Sequence, residues 1–123
     1  MDKRAVTGQL GEAAVTRYLQ KEGFDILATN YRERYGEIDI IASKKEVVCF
    51  IEVKTRSTEY FPTSLVITKS KQQKIIRTAR HFALQHKLFN KALRFDVAIV
   101  TGKTSDFTIR YLANAFTEHA PLY

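Results

Sequence analysis

Two neighbouring runs do most to limit what this chain can become. Gly36 to Ala42 alternates Glu37, Asp39 and Ile41 with Ile38, Ile40 and Ala42, and Val47 to Lys54 is rich in β-branched and aromatic residues. A period of two over that length signals a strand, and the polar Ser43-Lys44-Lys45-Glu46 between the runs signals a turn, so the pair predicts an antiparallel hairpin. A turn centred near Lys44-Lys45 sets Glu37 to Asp39 opposite the stretch from Phe50 to Glu52. Opposed residues share a face and every second residue returns to it. One face therefore carries Ile38, Ile40 and Ala42 with Val47, Cys49, Ile51 and Val53, and must be core. The other carries Ile41, Val48 and Phe50 toward the turn, then Glu37, Asp39, Glu52 and Lys54 at the open end.

The rest of the chain supplies what such a hairpin needs to bury itself. Residues 6 to about 22 repeat Val6, Leu10, Ala13, Ala14, Tyr18 and Leu19 at helical spacing, with Thr7 as a cap and Gly23 as a stop. Residues 24–28 read as a short strand, 30–34 as a polar bend and 55–68 as a looser loop with Pro62. A second helix is expected from about 69 to 87, its apolar stripe being Ile75, Ile76, Ala79, Phe82 and Ala83. Residues 95–100 read as a buried strand, 102–106 as a turn and 107–112 as a last strand. The order helix, three strands, helix, two strands predicts one α/β domain over 1–123, a mixed sheet flanked by helices. A length of 123 residues with 45% apolar side chains suits a single packed core.

Three carboxylates and a lysine on an otherwise apolar sheet repel and resist burial unless something offsets them. A divalent cation relieves such a cluster. Mg²⁺ takes oxygen ligands and is held by one or two carboxylates plus waters and substrate phosphates, which suits Asp39 and Glu52. A bound ion makes water a better nucleophile and stabilises charge on a phosphate. Lys54, two residues beyond Glu52, is placed to orient or deprotonate that water or to stabilise the phosphate. The plainer alternative is a solvated strand face, with Glu52 and Lys54 an exposed pair worth about 0–1 kcal/mol. Glu12 shares a helix face with Val15 and Leu19, at i+3 and i+7, and so lies beside surface that should pack on the sheet. It is either a fourth acid of the cluster or a first-turn acid favoured by the helix dipole.

Charge points to the partner. Lys+Arg number 20 against 13 Asp+Glu, a net charge of +7, which asks for a polyanion. Arg32 and Arg34 precede the acidic strand, Arg56 follows the second, and Lys69, Lys71, Lys74, Arg77 and Arg80 line the second helix, as a groove tracking a nucleic-acid backbone requires. A merely solvated basic face is the alternative. Tyr31, Tyr35, Tyr60 and Phe61 lie among these segments, either to stack on unpaired bases or as packing anchors. His81, His86 and His119 show no zinc spacing, and the role of Asp96, inside an apolar strand, is open, with structural pairing to an arginine or lysine near the site as the leading reading. No phosphate-binding glycine loop or nucleophile elbow is present. The single cysteine excludes a multi-cysteine zinc knuckle and fits a reducing cytoplasm. No apolar run reaches the roughly 20 residues of a membrane span, and the N-terminal residues lack a signal-peptide core, so neither secretion nor membrane insertion is expected.

Gly8, Gly11-Glu12, Tyr18-Leu19, Gly23-Phe24, Asn30-Tyr31-Arg32, Gly36-Glu37-Ile38-Asp39, Phe50-Ile51-Glu52-Val53-Lys54-Thr55-Arg56, Lys71, Ala79 and Arg94-Phe95-Asp96-Val97 resemble, in order and over most of the chain, the small bacterial YraN family. That family is similar to the PD-(D/E)XK nucleases of restriction-endonuclease-like fold, most closely to Holliday-junction resolvases. The resemblance implies that Asp39 is the motif aspartate, Glu52 the second acid, Lys54 the lysine and Glu12 the helix glutamate, with Mg²⁺ or Mn²⁺ as cofactor held by Asp39, Glu52 and Glu12. Glu37, Arg56, Lys71 and Asp96 fall on family-typical positions without an assigned task. The chain departs from the pattern in the loop after the lysine strand, where Glu59-Tyr60-Phe61-Pro62-Thr63 lacks the usual glycine. The expectation is a metal-dependent endonuclease acting on branched or single-stranded DNA, with Arg32, Arg34, Arg56, Lys71, Lys74 and Arg77 on the nucleic acid and a homodimer as one open arrangement. The alternatives are a catalytically silent nucleic-acid-binding module and a subunit of a DNA-processing complex.

Overall fold

Seven elements follow one another in a computed structural model that describes residues 3–56, 67–103 and 106–117, with side chains from residue 8 onward except at 103. They are α1 (Lys3–Lys21), β1 (Asp25–Glu33), β2 (Gly36–Lys44), β3 (Val47–Arg56), α2 (Lys69–Gln85), β4 (Ala92–Lys103) and β5 (Asp106–Phe116). The expected order and class are what the fold shows. α1 starts at Lys3, so Thr7 lies inside the helix rather than capping it. Its other end is closed as expected: Gly23 takes φ +91°, and the Gly23 and Phe24 N–H groups return to Gln20 O and Leu19 O. That is the Schellman arrangement, in which glycine avoids a Cβ penalty. Thr68 caps α2, its hydroxyl accepting from Lys71 N–H.

The strands form one sheet in the order β1-β2-β3-β4-β5, antiparallel throughout except for the parallel β3–β4 pair. A parallel pair needs a crossover, and α2 lies within it. The two helices take opposite faces. Val15 and Leu19 of α1 pack with Ile40, Ala42, Cys49, Ile51, Ala98 and Val100, while Ile75, Ile76, Ala79 and Phe82 of α2 pack with Ile41, Phe50, Phe95 and Val97. Cys49 is fully buried on the α1 face, and burial, with Asp96 nearby, pushes its thiol up to about 12.

Three further expectations are corrected. The supposed bend at 30–34 is strand as far as Glu33, because β1 pairs with β2 through Glu33↔Gly36, and only Arg34 of it lies in the turn. The β2–β3 turn is Lys45-Glu46, with Lys45 at φ +55°, which moves the register by two and brings Asp39, not Glu37, level with Glu52. Finally, Ile38 does not share the face of Ile40 and Ala42. Its partner Tyr31 packs edge-on against Phe82 of α2, so Ile38 joins the α2 face with Ile41. The reversal occurs where Asn30, at φ +50°, stands between the pairs Thr29↔Ile40 and Tyr31↔Ile38. Left-handed backbone at one step breaks the period of two, and asparagine tolerates it better than most residues. The expectations placed on Glu59–Thr63, on stacking by Tyr60 and Phe61 and on His119 lie outside the described residues.

Candidate active site

The sheet forks beside the reversal. β2 and β3 pair from Lys44↔Val47 to Ile40↔Ile51 and no further, yet β3 stays paired to β4 as far as Arg56↔Thr101, and β2 to β1 as far as Gly36. The Asp39 carboxylate enters the gap and accepts from Val53 N–H at 2.8 Å, replacing the acceptor a continued ladder would supply. From α1, the Glu12 carboxyl is a hydrogen-bonding partner of both Asp39 and the Asn30 side chain. α1 approaches this closely because residue 11 is glycine: a Cβ there would collide with Thr55 Oγ1. From the α2 side, Glu52, only 7% exposed, faces two ammonium groups: Lys71 Nζ at 2.7 Å and Lys54 Nζ at 3.5 Å.

Three carboxyls and two ammonium groups thus meet where the sheet opens. Burial, then the charge of Glu52, pushes Asp39 up to about 7. Glu12 is also raised, chiefly by burial. Both carboxyls, in hydrogen-bond contact with each other, are thereby shifted toward the protonated form. The lysines diverge. Burial, with Lys71 close by, lowers Lys54 despite Glu52, whereas at Lys71 the bond to Glu52 and its charge outweigh burial and the group is raised. Lys71 is thus the firmer counter-ion of Glu52, and Lys54 the lysine nearer to releasing its proton.

Of the residues singled out from the sequence, Glu12, Asp39, Glu52 and Lys54 come together. Glu37 stands apart: exposed, it pairs across the strands with Arg32 at 3.1 Å and adds only its charge at Glu12. Lys71 lies in the cluster rather than on an open basic face. Lys74 and Arg77 are exposed on α2. The Arg77 guanidinium lies 3.6 Å from the Tyr35 ring centroid and that of Arg34 at 5.7 Å, joining the β1–β2 turn to the basic helix. Arg56 ends β3, two residues past Lys54, and donates to Thr55 O. Tyr31 is a packing residue, its hydroxyl donating to Glu33, while His81 sits on the surface beside Glu33. Asp96 is buried against Arg94, the expected kind of partner, and against Tyr111 and Asn114 N–H. Asn30 was the residue missed, and its signal was an amide side chain midway along a strand.

The donor set suits a hard cation that takes only oxygen. Among the described residues no three His, Cys, Asp or Glu side chains converge to hold an ion by themselves. A site built on Asp39 and Glu52 would therefore be completed by water and substrate phosphate, the habit of Mg²⁺. Among the same residues no helix is long and apolar enough to cross a membrane.

A family model described as "Uncharacterised protein family UPF0102" matches residues 11–100. A UPF0102 protein of Desulfosudis oleivorans is 44% identical over 117 residues, covering 94% of this chain and 94% of the relative. One of Alkaliphilus metalliredigens is 43% identical over 111 residues, covering 89% and 96%. One of Treponema pallidum is 37% identical over 116 residues, covering 90% and 92%.

Proposed function

This chain belongs to the UPF0102 family, the YraN family its sequence resembles, and we propose that it is a metal-dependent phosphodiesterase that cuts DNA, with branched or single-stranded structures as substrates. The observation that carries this reading is the fork itself, which gathers Glu12, Asp39, Glu52 and Lys54 from three elements onto one opening at the end of the β2–β3 ladder. In a chain of net charge +7, an acidic opening of this kind is suited to a cation shared with phosphate.

Asp39 and Glu52 would hold Mg²⁺ or Mn²⁺, with Glu12 reaching the shell through water. Bound there, the ion would supply positive charge to the phosphate and acidity to a water molecule. The protein's own groups do the rest. Val53 N–H fixes one Asp39 oxygen, so the carboxylate cannot rotate freely out of the fork. Asp39, its carboxyl held up by burial, must be deprotonated to act as a ligand. Lys54, its ammonium disfavoured by burial, suits the acceptance of a proton from the attacking water or a contact to the phosphate. Arg34, Lys74 and Arg77 would track the backbone without reading sequence.

Calorimetry with Mn²⁺ on wild type and Asp39→Asn, followed by nicking assays on labelled branched and single-stranded DNA, tests the reading. Wild type should bind and cut, and the variant should do neither. A second reading, a silent binding module, is favoured by one observation: Glu52 is already neutralised by Lys71. It predicts DNA binding with neither metal binding nor cleavage.

A further inference from the structure

We infer that Lys71 is an exchangeable counter-ion: it holds Glu52 while the site is without metal and moves to a substrate phosphate when a divalent ion takes that carboxylate. This rests on the nuclease reading above. Of the two lysines on Glu52, Lys71 is nearer, 2.7 against 3.5 Å, yet its side chain is the more exposed, 42% against 20%. A tightly paired head on a half-exposed stem can leave without dragging core with it. Lys54 lies on β3, which is held by β4 along its whole length, whereas Lys71 sits in the first turn of α2 at the lip of the opening.

Charge balance points the same way. A divalent ion at Glu52 would add positive charge beside both ammonium groups, and the negative charge of a phosphodiester would offset it. Lys71 is the cation placed to meet that phosphate, because an ammonium 2.7 Å from Glu52 Oε1 repels a second cation at the same carboxylate. Lys71 therefore competes with metal and cooperates with substrate.

The test compares the full-length wild type with Lys71→Met, Lys71→Arg and Asp39→Asn, titrating Mn²⁺ by calorimetry without DNA and then measuring binding to a short single-stranded DNA in Mn²⁺ over a range of salt. Lys71→Met should bind Mn²⁺ about tenfold tighter than wild type, a gain of about 1.4 kcal/mol. Lys71→Arg should match wild type, and Asp39→Asn should show no binding. On DNA, Lys71→Met should bind more weakly, with a log–log salt slope shallower by about one. If Lys71→Met melts well below wild type, Lys71→Gln replaces it as the neutral variant. Equal or weaker Mn²⁺ binding by the neutral variant, with Asp39→Asn still inactive, overturns the exchange and leaves the nuclease reading in place. If wild type binds no Mn²⁺ with or without DNA, both fall together.

Discussion

Asp39 and Asp96 do the same backbone task in opposite company. Each accepts at 2.8 Å from an N–H that strand pairing leaves over, Val53 at the β2–β3 fork and Asn114 at the β4–β5 bulge. Asp96 is fully buried, and the Arg94 guanidinium grips it through Nε at 3.0 Å and Nη2 at 2.9 Å while the Tyr111 hydroxyl donates to it. Every acceptor position is used and the charge is matched. Asp39 meets the carboxyls of Glu12 and Glu52 instead, and is pushed up to about 7. One carboxylate completes the fold. The other is a charge that the fold tolerates without matching, as binding sites do.

The largest expected effect breaks the Asp96 side of this comparison. Asp96→Ala strands a guanidinium, a hydroxyl and an N–H, and should cost about 3 kcal/mol in chemical denaturation. Next, Lys54→Met should leave the melting temperature and DNA binding near wild type while lowering the nicking rate by about 10²-fold or more, the usual scale of a proton-transfer group. A fall in DNA binding equal to the fall in rate would mean that Lys54 only docks substrate.

Asp39→Asn should raise the stability of the metal-free protein by about 2 kcal/mol at pH 8, because the amide keeps the Val53 bond without the charge. The sign follows from the direction of the shift. A carboxyl held above its unfolded value binds its proton more tightly in the native state, so its stabilisation is complete below about pH 4, declines as pH rises from about 4 to about 7, and is gone above. Urea midpoints measured across that window should fall with pH in wild type more than in the variant. Mn²⁺ affinity should rise over the same window, since the ion needs the deprotonated group. The smallest effect sharpens the boundary of the site: Glu37→Gln, which breaks an exposed pair with Arg32, should change stability by less than about 0.5 kcal/mol and leave nicking unaltered.

The element order, both helix faces and the convergence of Asp39, Glu52 and Lys54 were legible because each rests on local periodicity, whereas periodicity left Glu12 open and only the family resemblance put it in the cluster. Val15 and Leu19, which placed Glu12 on the packed side of α1, are both fully buried. What escaped depends on single torsions or distant partners. A left-handed Asn30 reverses the faces of β1 and β2 together, and no alternation rule contains that step. The two-residue turn at Lys45-Glu46 changes which acid stands level with Glu52. Lys71 looked like one more cation on a basic helix because its contact lies 19 residues away, across the crossover from β3 to α2.

The buried thiol of Cys49 gives the molecule an internal clock. With no exposure and its ionisation pushed up to about 12, it offers a disulfide reagent neither access nor thiolate while the sheet and α1 stay together. Labelling must wait for that face to open, so the rate at which a single sulfur reacts counts openings of the α1 side directly. Slow labelling alongside fast metal exchange would place the motions of the fork and of the core on separate timescales within one small sheet.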